Sequence, residues 1–136
     1  MNPAKAKFYR GLFTVAGIYD VLLGVTFIFF PARAFDALGI GDKLPAFGGY
    51  LTLLGAFVLV IGLAYFLIAR SDLRRNTDLI LVGTFYKLAY ATVAFYYWSQ
   101  GNLPHVAFGA LFGVADAVFF VLMAECCWTL KRQAKS

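Results

Sequence analysis

Three ionisable side chains inside apolar stretches are the residues of this sequence most able to do chemistry. Asp20, Lys87 and Asp116 each lie close to the middle of a different apolar stretch. A charge at the centre of such a segment costs at least ~2.5–3.5 kcal/mol and typically faces the interior of a helix bundle. On a helical rise of ~1.5 Å per residue, the three side chains lie at nearly the same depth. We therefore expect them to meet in one buried cluster.

Small residues share the helix faces on which these charges lie. At 100° per residue, each charged residue has at least one glycine one turn away on the same helix face. The uncharged second stretch has glycines repeated along one face. Such residues let helices approach closely. Tyr19, Tyr86 and Tyr90 could donate hydrogen bonds near the cluster, and of these only Tyr90 shares the helix face of Lys87. The glycines predicted to lie at helix contacts are Gly17, Gly24, Gly48, Gly55, Gly62, Gly83, Gly109 and Gly113.

The charge balance of this cluster leaves three interpretations open. Two Asp and one Lys sum to −1 if all are ionised, and an uncompensated buried charge is very costly. A shared proton, a bound cation or a wet cavity would lower that cost. The cluster could be a purely structural device that fixes helix register. It could instead be the polar floor of a ligand pocket, or part of a proton or ion pathway.

Other catalytic or metal-binding patterns are missing from the sequence. The single histidine, His105, begins the last apolar stretch, and Cys126 and Cys127 are adjacent rather than spaced as a metal or redox motif. No phosphate-binding glycine loop, zinc-protease motif or nucleophile–base pair is present. The sequence therefore predicts no metal site, no cofactor and no catalytic residue, and it favours a protein that is not an enzyme.

The elements that must position the three charges are long apolar helices. The chain has 136 residues, of which 62% are hydrophobic and only 14% charged. Soluble domains are about 45–50% apolar and about 25% charged, so a soluble enzyme or a nucleic-acid-binding domain is excluded. A membrane span needs about 20 apolar residues. One transmembrane domain over 1–136 is predicted, with spans at about 11–30, 46–69, 79–98 and 106–128.

Basic residues predict the orientation of these spans. Nine of the 12 Lys and Arg residues lie at the two termini or in the second connection: Lys5, Lys7, Arg10, Arg70, Arg74, Arg75, Lys131, Arg132 and Lys135. The positive-inside rule places that side, and hence both termini, in the cytoplasm. Short connections make successive helices antiparallel neighbours. The fold class predicted is an all-α, up-down-up-down four-helix bundle that crosses the inner (plasma) membrane several times.

The first apolar stretch carries a family pattern. It reads Arg10-Gly11-Leu12-Phe13, then Gly17, Asp20, Leu23-Gly24 and Phe30-Pro31, followed later by Gly83-x-x-x-Lys87 and Asp116. With this pattern the chain resembles small bacterial four-helix membrane proteins of the DoxX-like kind over most of its length. The resemblance implies a bacterial inner-membrane location and an accessory role in redox or quinone chemistry, but it transfers no catalytic residue.

Three functional hypotheses follow from these observations. The first is a binding or accessory protein that holds a lipid, a quinone or another apolar molecule, or docks on a larger membrane redox complex. The second is a small transporter or channel that works as a homo-oligomer and uses the midplane charges. The third is an enzyme, which only the buried charges support. The expected partners are membrane lipids and such apolar ligands or complexes, and no nucleic acid.

Overall fold

The computed structural model describes all of residues 1–136 and contains helices and turns but no strand. Four of the helices are long and apolar enough to cross a membrane. Two single turns of 3₁₀ helix, Gly41–Lys43 and Leu73–Asn76, lie in the connections. The helices are α1 (Pro3–Phe29), α2 (Pro31–Ala37), α3 (Gly49–Arg70), α4 (Thr77–Ser99) and α5 (Val106–Ala134).

The four long helices lie over the four predicted spans, but two of them extend further. Helix α1 begins at Pro3 because the side chain of Asn2 accepts a hydrogen bond from the amide of Ala4 and Pro3 suits the first turn. Helix α5 continues to Ala134, past the predicted end of the fourth span at about residue 128. Hydrophobicity predicts only the part of a helix that could lie in the membrane. The helix itself continues as far as its backbone hydrogen bonds do, so it can be longer than the predicted span.

Paired glycines bring α1 and α3 into close contact. Gly24 faces Gly55, since a Cβ added to either would lie 2.8 Å from the carbonyl oxygen of the other. One heptad away, Gly17 faces Gly62 in the same reciprocal manner, at 3.0 and 3.1 Å. Residue numbers rise along α1 as they fall along α3, so the helices are antiparallel. The absent side chains let the two backbones touch.

The four long helices form two hairpins that face each other. Helix α1 packs most extensively on α3, and α4 packs most extensively on α5. The hairpins meet through residues such as Tyr65 of α3 with Gly83 of α4, and Lys5 of α1 with Glu125 of α5. Within the bundle, each long helix runs antiparallel to both of its neighbours. Both chain termini and the 3₁₀ turn Leu73–Asn76 therefore lie at one end of the bundle.

The buried core is concentrated at the end that carries the termini. There, side chains from all four long helices form one cluster of 11 buried residues, among them Tyr9, Phe13, Ile68, Ile80 and Met123. At the other end, only a second, smaller cluster of four residues forms beneath α2. One half of the bundle is thus filled by side chains, and the opposite half is packed less completely.

Substitution of Gly24 tests the close contact between α1 and α3. We expect Gly24→Ala to lower the free energy of unfolding by about 1–3 kcal/mol, because the new methyl group overlaps the backbone of α3. Gly11→Ala is the matched control on the same helix, since a Cβ there meets nothing within 4 Å. That control should gain about 0.5–1 kcal/mol. Unfolding in mixed micelles, followed by circular dichroism, measures both; equal effects would contradict the contact.

Candidate functional site

The three charged residues predicted to meet do lie together at the centre of the bundle. The Nζ atom of Lys87 donates hydrogen bonds to Oδ1 of Asp20 at 2.8 Å and to Oδ1 of Asp116 at 3.0 Å. Lys87, Asp20 and Asp116 are 0%, 1% and 2% exposed, respectively. One ammonium group from α4 thus joins a carboxyl group from α1 to a carboxyl group from α5. We call these three residues the charge cluster.

Aromatic rings surround the ammonium group of the charge cluster. Its Nζ lies 5.0 Å from the ring centroids of Tyr19 and Phe119, 5.5 Å from that of Tyr86 and 5.6 Å from that of Tyr65. All four long helices contribute a ring or a charged group. Rings at this distance attract a cation through their quadrupoles. The ammonium therefore has aromatic faces, rather than water, around its two carboxyl partners.

Two of these tyrosines are anchored to backbone carbonyl groups. The hydroxyl of Tyr19 donates to the carbonyl oxygen of Leu111 at 2.5 Å, and that of Tyr65 donates to the carbonyl oxygen of Gly83 at 2.7 Å. Gly83 must be a glycine for the second contact, because a Cβ there would lie 2.6 Å from the Tyr65 ring. These hydroxyl protons are directed to the backbone and not to the carboxyl groups of the charge cluster.

Neither Oδ2 atom of the charge cluster accepts a hydrogen bond, and that of Asp20 is the one that is also fully buried. Oδ2 of Asp20 is buried, and no donor lies within hydrogen-bond distance of it. A buried polar atom without a partner carries most of its desolvation penalty. This oxygen is the least stabilised atom of the charge cluster if Asp20 is ionised.

A cavity lies between the two hairpins, at the end of the bundle away from the termini. Its volume is about 290 Å³, and ten of its twelve lining residues are hydrophobic. Every long helix contributes to the wall, through Phe27, Leu51, Leu54, Ala94 and Phe112 among others. The cavity opens beside Val93 and Tyr97, which line it and are about half exposed. We call it the apolar cavity.

Tyr90 separates the apolar cavity from the charge cluster. Its ring lines the cavity and lies 4.9 Å from the ring of Tyr86, which in turn lies beside Lys87. Phe112 completes this aromatic layer, with its ring centroid 5.7 Å from that of Tyr90. Of the four residues predicted for the site, Tyr90 reaches the cavity wall. Asp20, Lys87 and Asp116 do not line the cavity.

Helix α5 contains a widened turn beside both features. Residues Gly109–Ala115 form a π-helical segment, which Asp116 follows directly. Phe112 of this segment lines the apolar cavity, and the carbonyl of Leu111 accepts the Tyr19 hydrogen bond. Such π-helical turns inside α-helices are frequent at functional sites. The widened turn therefore sets the position of groups that belong to the cavity and to the charge cluster.

The predicted packing glycines do not all lie at helix contacts. The pairs described above join α1 to α3, and Gly83 lies against Tyr65. On α5, a Cβ at Gly109 would lie 2.5 Å from the Trp98 ring, and one at Gly113 would make an ordinary contact with Phe95. Gly48 precedes α3, is exposed and has no neighbour within 4 Å of a Cβ position. Because Gly48 precedes the first turn of α3, it lies outside the contact between α1 and α3.

Sequence reasoning misses two aromatic side chains of the site. Tyr65 lies in the second span, which has no charged residue that would mark its interior face. Phe119 is one of 15 phenylalanines, so its residue type alone does not distinguish it. Helical spacing could have found both. Tyr65 is three residues after Gly62, and Phe119 is three residues after Asp116, so each lies on an interior face. The π-helical turn leaves no comparable mark in the sequence.

The remaining candidate groups have local structural roles. His105 accepts a hydrogen bond from the amide of Ala107 through Nδ1 and thereby begins α5. Cys126 is buried in the core, and the sulfur of Cys127 lies 3.7 Å from the hydroxyl of Thr84. No group of three His, Cys, Asp or Glu side chains is placed to hold a metal ion.

No protein-family model, curated protein or solved structure matches the chain.

Substitution of Lys87 tests how the charge cluster is balanced. We expect Lys87→Met to cost about 3–5 kcal/mol of unfolding free energy, because two buried carboxyl groups lose their cation. Chemical unfolding in mixed micelles measures this loss. Adding Asp20→Asn and Asp116→Asn to the same chain should restore much of it, since no buried charge is then left. Lys7→Met, at an exposed site, is the control; similar losses in both single variants would contradict the interpretation.

Proposed function

We propose that this protein is embedded in the cell inner membrane with both termini in the cytoplasm. The four long apolar helices support the embedding. The positions of nine basic residues support the orientation, because they belong to the termini and to the connection around Leu73–Asn76, which lie at one end of the bundle. Basic residues flanking spans are retained on the cytoplasmic side. The bundle then runs up-down-up-down across the membrane.

Cysteine labelling tests this orientation. In a chain with Cys126→Ala and Cys127→Ala, a cysteine at the exposed Asp42 should react with a membrane-impermeant maleimide in intact cells. A cysteine at the exposed Lys135 should react only after the membrane is opened, because it lies at the opposite end of the bundle. The reverse pattern would overturn the orientation.

We propose that the protein binds an apolar molecule in the apolar cavity and is a binding or accessory protein. The cavity itself carries this proposal, because it is lined almost wholly by hydrophobic side chains and reaches the surface of the bundle. Its volume of about 290 Å³ is just below the ~300–1,000 Å³ typical of ligand pockets. A ring-sized head group or part of an acyl chain fits this space better than a whole lipid.

A quinone ring suits the almost wholly apolar wall of the cavity, which would hold it by its apolar faces. Tyr90, Tyr97 and Asn102 are the lining residues that carry a hydroxyl or amide group. The opening beside Val93 would let an isoprenoid tail pass between α3 and α4 into the lipid. The resemblance to DoxX-like proteins favours the same ligand class and a place beside a membrane redox complex.

The filled half of the bundle favours binding over transport. Between the charge cluster and the end that carries the termini, the interior is occupied by the larger core cluster, which includes Tyr9, Phe13 and Met123. The apolar cavity therefore has a closed floor. A conducting path through one chain would need polar groups or space in that region, and these buried side chains supply neither.

Filling the cavity tests the binding proposal. Ala94 lines the cavity, so Ala94→Phe should occupy it and weaken binding of a short-chain benzoquinone by at least about tenfold, or 1.4 kcal/mol. Ala89→Phe is the matched control, because Ala89 lies on the same helix and is exposed. Equal binding by both variants, with helix content retained, would contradict the assignment of the site.

Tryptophan fluorescence provides the binding signal for this test. A bound quinone quenches a nearby indole, and Trp98 packs on α5 at the cavity end, whereas Trp128 lies toward the opposite end of that helix. Reconstituted protein with Trp128→Phe should show saturable quenching, and protein with Trp98→Phe should show only the weak quenching expected of quinone dissolved in the lipid. Equal, unsaturable quenching in both variants would contradict quinone binding in the apolar cavity.

A further inference from the structure

The buried charges of this protein do not balance. Five of its seven acidic residues, namely Asp36, Asp42, Asp72, Asp78 and Glu125, are exposed. Asp20 and Asp116 are buried, and Lys87 is the only buried cation. With all three ionised, the interior of the bundle would carry one net negative charge. A buried charge without compensation is far more costly than the same group in its neutral form.

The groups that face the charge cluster supply no further positive charge. Tyr19 of α1, Tyr65 of α3 and Tyr86 of α4 are its titratable neighbours, and Phe119 of α5 completes the surrounding rings. Tyrosine is neutral at neutral pH, since its ordinary pKa is about 10. Two of the three hydroxyl groups already donate to backbone carbonyls. The missing positive charge must therefore come from a bound cation.

A metal ion is a poor choice for this cation. The Lys87 ammonium already occupies the position between the carboxyl groups, at 2.8 and 3.0 Å from their nearest oxygens. A second hard cation at the same carboxyl groups would be repelled by the ammonium and would find no third acidic, histidine or cysteine side chain. A proton needs neither space nor a coordination shell, so it can neutralise the cluster where a metal ion cannot.

We propose that the charge cluster is a binding site for one proton, which Asp20 holds on Oδ2. That oxygen is buried, and no donor reaches it, whereas Oδ1 of the same carboxyl group accepts from Lys87. Protonation removes the charge from the carboxyl oxygen of the cluster that is both without a hydrogen-bond partner and fully buried. Lys87 and Asp116 then form a balanced ion pair, and the neutral Asp20 accepts a hydrogen bond from the ammonium through its carbonyl oxygen.

Substitutions at the three positions give distinct protonation patterns. Asp116→Asn leaves one carboxyl group for one ammonium, so Asp20 should release its proton. Asp20→Asn replaces a neutral acid with a neutral amide of similar shape and should leave the Lys87–Asp116 pair as it is. Lys87→Met removes the cation, so both carboxyl groups should be neutral. This proposal does not depend on a ligand in the apolar cavity.

Infrared spectroscopy of the full-length protein in a detergent without ester groups distinguishes these patterns. A neutral carboxylic acid gives a carbonyl band well separated from the carboxylate bands. At about pH 8 the exposed carboxyl groups are ionised, since their ordinary pKa values are about 4. We expect one carboxylic acid band in the unmodified protein and none in Asp20→Asn or Asp116→Asn. Asp42→Asn, at an exposed position, should leave the band unchanged.

Each result of this experiment supports or overturns the proposal. Absence of the band in the unmodified protein would show that the cluster holds no proton. Persistence of the band in Asp20→Asn would place the proton on another residue. Persistence in Asp116→Asn would contradict the charge balance. Both Asn variants are close in shape to the original residues, and circular dichroism of the same samples confirms folding. Where Lys87→Met folds, its band should be roughly twice as strong.

Discussion

The two hydrogen bonds that the Lys87 ammonium group donates to carboxyl groups of other helices align the whole bundle. A buried ammonium group must have close partners, and here they come from α1 and α5 at 2.8 and 3.0 Å. The requirement fixes the depth of three helices relative to one another. Four aromatic rings at 5.0–5.6 Å then surround the ammonium, so the fourth helix, α3, is drawn in through Tyr65.

Glycine contacts explain why the bundle is divided into two hairpins. Helices α1 and α3 touch backbone to backbone through Gly17, Gly24, Gly55 and Gly62, whereas the contact of α3 with α4 relies on larger side chains. The contact between the two hairpins is not equally close along their whole length. Core side chains fill the half that carries the termini, and the apolar cavity remains in the other half.

The proposed function uses this division of the bundle. An apolar molecule would enter beside Val93 and rest on the layer formed by Tyr90 and Phe112. The charge cluster lies on the other side of that layer, where it is shielded from both ends of the bundle. It therefore anchors the helices that form the cavity wall, and the proton proposed on Asp20 removes the electrostatic cost of keeping two carboxyl groups there.

The four long helices and the three charged residues that meet between them could be predicted from the sequence alone. Apolar length defines spans, and the cost of burying Asp20, Lys87 and Asp116 separately requires them to pair, so neither conclusion needs coordinates. The Asn2 cap of α1 and the helical spacing of Tyr65 from Gly62 are visible in the sequence, whereas the exposed position of Gly48 depends on the tertiary structure. The same holds for the π-helical turn and the apolar cavity. The π-helical turn and the apolar cavity depend on how the surfaces of four helices pack together, and the residue pattern of one helix does not predict that packing.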